Sequence, residues 1–126
     1  MAYAYDNENI FAKILRGDIP NDTVLETEYC LAFRDLYPQA PEHILVIPKG
    51  AYVNFDHFGT EGSDAELADF SRTVAKIARQ IGVDPASGGD GYRLISNTGA
   101  HGVQDVPHVH IHLLAGRPLG RMLQQG

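Results

Sequence analysis

From Pro107 to Leu114 the chain alternates strictly between histidine and an aliphatic residue, reading His108-Val109-His110-Ile111-His112-Leu113. Successive side chains of a β-strand point to opposite faces, so a strand sorts this run cleanly, with the histidines on one face and the aliphatic residues on the other. The segment is therefore expected to be a strand buried through Val109, Ile111 and Leu113, and the rest of the chain must supply its neighbours. Lys, Thr, Glu or Ser would serve equally well on a merely solvated face. Three of the chain's six histidines in strict alternation point instead to chemistry.

The neighbours can be read in order. Ile10, Phe11, Ile14 and Leu15 recur at helical spacing between Asn9 and Arg16, with Asn7 or Asn9 as cap and Gly17 as stop. Stretches 23–28 and 29–35 form an expected hairpin, although no Asn-Gly or Asp-Gly marks its turn. Tyr37-Pro38-Gln39-Ala40-Pro41 breaks regular structure, and His43-Ile44-Leu45-Val46-Ile47 reads as a buried strand stopped by Pro48. Ser63-Asp64-Ala65-Glu66 is a capping-box pattern that opens a helix with apolar positions Leu67, Phe70, Val74, Ile77 and Ile81, closed by Gly82. After a glycine-rich turn come a strand over 92–97, an irregular stretch over 98–107 and the last strand over 108–114.

Strands outnumber helices and one long helix lies between them. This predicts an α+β fold, a mostly antiparallel five-stranded sheet with one long helix and a short N-terminal helix. At 126 residues the chain can bury one core, so a single domain over 1–126 is expected, its centre at about 8–122. Ten Lys and Arg against sixteen Asp and Glu leave a net charge of -6, without the basic surface that a nucleic-acid backbone needs. The lone Cys30 allows no internal disulfide and fits a reducing compartment as core filler. The start of the chain is polar and acidic and no apolar run reaches the ~20 residues of a membrane span. A cytoplasmic protein without a membrane partner is expected.

Two chemistries can use the histidine row. As a zinc site it is limited by geometry, because His108 and His112 stand roughly 13 Å apart along a strand. Two of them with His43 or a carboxylate make a better ligand set. Alternatively, one imidazole attacks phosphorus while its neighbours orient it and the departing group, which requires a row rather than a cage. His110, in the middle, is then best supported. The loop from Asn97 to Asp105 offers Gly99 and Gly102 for close backbone approach and side-chain amides as donors. Asp35 caps a turn or binds a ligand, Phe11 and Phe33 fill core or meet a ligand edge, and His57 reads as structural.

Gln104-x-Val106-x-His108-Val109-His110-Ile111-His112-Leu113-Leu114 resembles the signature of the histidine triad (HIT) family. Asn9-Ile10-Phe11-x-Lys13-Ile14, Leu31-Ala32-Phe33-x-Asp35 and Pro38-Gln39-Ala40-Pro41-x-His43-x-Leu45-Val46-Ile47-Pro48-Lys49 resemble its Hint-like branch, and Arg117-Pro118-Leu119-Gly120 resembles bacterial members. The resemblance implies a homodimeric, metal-independent purine nucleoside phosphoramidase without a cofactor, working through a nucleotidyl-histidine intermediate on purine nucleoside monophosphate derivatives. It implies that His110 is the nucleophile, that His112 contacts phosphate and leaving group, that His108 supports the nucleophile and that His43 borders the site. Asn97 and Gln104 are then polar residues around the phosphate, Asp35 the ribose-binding acid, and Ile10, Phe11, Ile14, Phe33 and Leu36 the purine slot.

Many Hint-like proteins have a small hydroxyl residue where this chain has Asp105. A carboxylate there repels phosphate, though its backbone N–H can still donate. Dinucleoside polyphosphate hydrolysis and a nucleotide-binding or scaffolding module with little turnover are the alternatives.

Overall fold

The computed structural model describes residues 3–123. The C-terminal residues Gln124 to Gly126 lie outside it. Helix α1 (Ile10–Leu15) is capped by the Asn9 side chain, which accepts from Ala12 N–H at 2.9 Å. Strands β1 (Thr23–Glu26) and β2 (Cys30–Arg34) follow as the expected hairpin. Its turn needs no glycine because Thr27 closes it from both sides: Thr27 N–H donates to the Cys30 carbonyl (2.9 Å) and Cys30 N–H donates to Thr27 Oγ1 (3.0 Å).

Strand β3 (Glu42–Pro48) is longer than expected at both ends. Two helices come next. The seven-residue α2 (Phe55–Glu61), capped by Asn54, has no counterpart in the sequence reading, since a short segment containing Gly59 with only His57 and Phe58 buried shows no helical period. Helix α3 (Asp64–Gln80) opens with the expected capping box between Ser63 and Glu66. A 3₁₀ turn over Pro85–Ser87 leads to β4 (Tyr92–Ile95) and β5 (Ile111–Ala115).

The five strands pair antiparallel in the order β1-β2-β3-β5-β4. Alternation then divides two apolar layers. Cys30, Ala32, Ile44, Val46, Leu113 and Ala115 pack with Phe58 of α2 and with Phe70, Val74, Ile77 and Ala78 of α3 on one face. Leu31, Phe33, Leu45 and Ile47 pack with Phe11 and Ile14 of α1 on the other. His43 and His112 belong to this second face, because each alternates with residues of the first. Among the described residues no helix is long and apolar enough to cross a membrane.

The start of β5 and the end of β4 also differ from the sequence reading, and the cause is hydrogen bonding. β5 begins at Ile111, not His108, because the backbone of 108–110 bonds outside the ladder: Val109 N–H donates to the Tyr52 carbonyl (2.9 Å) and the His110 carbonyl accepts from Ser96 Oγ (2.9 Å). β4 correspondingly ends at Ile95, where its register meets His112. Val109 and Leu113 are buried as expected, but Ile111 is only half-buried and His108 and His110 are buried too, so burial does not alternate along this run.

Candidate active site

A cavity of about 340 Å³ opens on the α1 face of the sheet. The sequence-derived residues Ile10, Phe11, Ile14, Phe33, Asp35, Leu36, Asn97, Asp105, His110 and His112 all line it. Phe11 stands edge-on to both Phe33 (ring centroids 5.6 Å apart) and His110 (5.0 Å), so this one side chain joins the apolar wall to the histidine row. Leu36 is at the rim, 80% exposed. Asp35 caps a turn and also faces the histidines. One carboxylate oxygen caps a turn by accepting Tyr37 N–H (2.8 Å), and the other lies 3.5 Å from His43 Nε2.

Three sequence-derived residues are not on the wall. His108 is fully buried and His43 nearly so, both behind the cavity. Gln104 Nε2 is spent on two backbone carbonyls, Val53 (2.6 Å) and Val106 (2.9 Å), pinning the 97–107 loop to the segment before α2. The wall includes further residues that the sequence reading did not single out, among them Ile19, Asp22, Tyr37, Leu45 and Val103. Leu45 could have been found from its alternation with His43. Val103 could not, since its left-handed backbone (φ 53°) is unusual for a β-branched residue and leaves no mark in the sequence. Gly102 is explained by closeness: a Cβ there would stand 2.6 Å from the Thr98 carbonyl oxygen.

The hydrogen-bond partners fix the tautomer of each histidine, because a carbonyl only accepts and a backbone N–H only donates. His110 Nδ1 lies 2.7 Å from the His108 carbonyl, so it carries the proton and leaves the Nε2 lone pair free. His108 Nε2 donates to the Pro48 carbonyl (2.8 Å), which leaves Nδ1 to accept from the Tyr5 hydroxyl (2.5 Å). His43 Nδ1 accepts Gln39 N–H (3.1 Å). Its Nε2–H therefore donates to His112 Nδ1 (2.9 Å), and His112 carries its proton on Nε2.

Burial keeps all four rings neutral at pH 7. It pushes His108 and His112 down to about 4, with the neighbouring histidines adding to the shift of each, and also lowers His110 and His43. Asp35 partly opposes this at His43, His110 and His112, and Asp105 at His110 and His112. The cavity wall is acidic. Asp22, Asp35 and Asp105 contribute to it, while its one cation among the described residues, Arg34, is held by Glu42 at 2.7 Å.

Asp35, His43 and His112 bring three potential metal ligands within 4.8 Å of one another. Their donor chemistry does not suit a metal. The Gln39 N–H aimed at His43 Nδ1 keeps the proton on Nε2, the atom that would have to bind, whereas a metal-bound imidazole carries its proton on the other nitrogen.

This arrangement has close relatives. The HIT domain family matches residues 16–119. An uncharacterised 13.2 kDa HIT-like protein of Azospirillum brasilense is 53% identical over 126 residues, covering 100% of both chains. The purine nucleoside phosphoramidase of Escherichia coli (strain K12) is 48% identical over 116 residues, covering 92% of this chain and 93% of the relative. The crystal structure of a histidine triad protein from Clostridium difficile superposes with a TM-score of 0.80 at 37% identity, covering 95% of this chain and 100% of that one. With the four histidines, the two-faced sheet and the cavity beside α1 all in place, the chain belongs to the HIT domain family.

Proposed function

We propose that the protein hydrolyses the P–N bond of purine nucleoside phosphoramidates through a nucleotidyl-His110 intermediate, without a metal or other cofactor. One observation carries the reading: His110 is held by Nδ1 against the His108 carbonyl, so its Nε2 lone pair is unprotonated and belongs to a side chain on the cavity wall. The 48% identity to a phosphoramidase supports the bond type.

The purine sits in the slot of Ile10, Phe11, Ile14, Phe33 and Leu36, the ribose hydroxyls donate to Asp35, and Asn97 donates to a phosphate oxygen. Gln104 acts at one remove by holding the loop. The substrate's phosphate monoanion, entering a row of neutral imidazoles, favours protonation of His112 at Nδ1, with the His43 Nε2–H turning from that atom to the Asp35 carboxylate 3.5 Å away. His110 Nε2 attacks phosphorus, the P–N bond breaks, and the leaving nitrogen takes the Nε2 proton of His112. Water then attacks the nucleotidyl-histidine and returns a proton to His112, releasing the nucleoside monophosphate and neutral His110. The row of oriented donors is in place before the charge moves.

The acidic wall favours this over dinucleoside polyphosphate hydrolysis. A phosphoramidate brings one negative charge past Asp22, Asp35 and Asp105, whereas a polyphosphate brings several, with no free cation among the lining residues. We also infer a cytoplasmic homodimer. β4 forms an edge of the sheet with Tyr92 38% and Leu94 45% exposed, an apolar edge of the kind that pairs with another chain.

The test is nucleoside monophosphate release by chelator-treated protein from adenosine 5'-phosphoramidate and from a diadenosine polyphosphate. The expected result is release from the phosphoramidate at least about tenfold faster, a ratio worth about 1.4 kcal/mol, and unaffected by chelation. Loss of activity on chelation, or preference for the polyphosphate, contradicts the proposal.

A further inference from the structure

The segment before α1 runs as a strap over the buried side of the histidine row. Tyr3 stacks on His57 (ring centroids 5.0 Å, interplanar angle 24°) and its hydroxyl donates to Asp56 (2.5 Å). Tyr5, half-buried, meets His108 edge-on (5.5 Å, 72°), and its hydroxyl donates to His108 Nδ1. Asn9 ties this strap to α1, since Nδ2 donates to the Asp6 carbonyl (2.7 Å) while Oδ1 caps the helix. Among the described residues the strap therefore meets the histidine row through Tyr5, by its ring edge and its hydroxyl.

His108 does not line the cavity, yet its carbonyl is the only partner of His110 Nδ1 among the described residues. Wherever the His108 main chain moves, the attacking nitrogen moves with it. The His108 ring is anchored at both ends, Nε2 to Pro48 at the end of β3 and Nδ1 to Tyr5 on the strap. Because residues 108–110 lie outside the strand ladder, these side-chain anchors replace part of the restraint that a sheet would give. Without the Tyr5 hydroxyl, a buried ring nitrogen has no donor and the ring is held at one end only.

We propose that Tyr5 is a positioning residue for the nucleophile, acting through the His108 ring and carbonyl on His110. The inference rests on His110 being the nucleophile, and it concerns orientation rather than contact with substrate. It assigns a role in catalysis to a strap residue that does not line the cavity.

The experiment compares Tyr5→Phe with Tyr3→Phe and the unaltered chain, each changed only at a strap hydroxyl. Rates on adenosine 5'-phosphoramidate are measured well below the unfolding temperature, and the histidine ring ¹H and ¹⁵N resonances are recorded. Tyr5→Phe is expected to lower kcat about tenfold with KM nearly unchanged, and to shift both His108 Nδ1 and the His110 Nδ1 proton. Tyr3→Phe, which trims the same strap without touching His108, is expected to change neither. An unaltered kcat in Tyr5→Phe overturns the proposal. So does a loss of thermal stability with the His110 proton resonance unmoved, which marks Tyr5 as structural only. If the unaltered chain shows no turnover, the phosphoramidase reading fails, and the His110 resonance alone then decides whether Tyr5 orients that ring.

Discussion

A histidine acts through one nitrogen at a time, and in this protein the choice of nitrogen is made by backbone groups. The alternation His108-Val109-His110-Ile111-His112 is legible in the sequence, and so is the central place of His110. Which ring atom is free is not legible, because it depends on the His108 and Pro48 carbonyls and the Gln39 N–H, whose directions follow from the fold. Gln104 shows the same limit: an amide next to a glycine-containing loop looks like a phosphate donor, but two carbonyls compete for its Nε2 and take it. Two predictions belong to this scale. Replacing Asp105 by Asn removes one wall carboxylate and should narrow the rate ratio between phosphoramidate and diadenosine polyphosphate severalfold, read by competition between the two substrates. Gly102→Ala forces a methyl group to within 2.6 Å of the Thr98 carbonyl oxygen, so thermal unfolding should show a loss of about 1–3 kcal/mol together with reduced turnover from the displaced loop.

At the level of helices and strands, the segments with the most regular periods are those found from sequence. Helix α3 has a capping box and the apolar positions Leu67, Phe70, Val74 and Ile77 in phase, with Ile81 as its C-cap, and it spans 17 residues. Ile77, fully buried between this helix and the sheet, should cost about 2–5 kcal/mol on change to Ala, measured by urea unfolding, with the histidine row on the opposite face unaffected. Helix α2 was hidden because seven residues give too few turns to show a period, and its cap, Asn54, looks like any loop asparagine. The start of β5 departs from the side-chain pattern for a related reason. Strand alternation continues through His108 to His110, but their hydrogen bonds go to Tyr52 and Ser96 instead of a neighbouring strand. Side-chain pattern records burial, and only indirectly records the ladder.

Across the whole molecule, the order β1-β2-β3-β5-β4 lays β3 and β5 side by side, which is why His43 reaches His112 across 69 positions of sequence. The α+β class and the single sheet follow from counting strands, whereas this adjacency depends on pairing that composition does not reveal. The same assembly holds four neutral imidazoles, three buried and His112 half-buried, and that has a cost in acid. Their folded pKa values are below the ordinary 6.5, so between that value and about 4 the unfolded chain binds more protons than the folded one. Stability is thus complete above about pH 6.5 and is lost as the pH falls toward 4. Thermal midpoints recorded from pH 7 to 4 should decline most steeply over that window, and a flat profile speaks against buried neutral histidines.

Attack on phosphorus is proposed for His110 Nε2. Its most direct test is nucleoside monophosphate release from adenosine 5'-phosphoramidate by a His110→Ala variant that retains the circular dichroism spectrum of the unaltered protein. The rate should fall about a thousandfold or more, as for loss of a covalent nucleophile. Release at a rate close to that of the unaltered protein contradicts it.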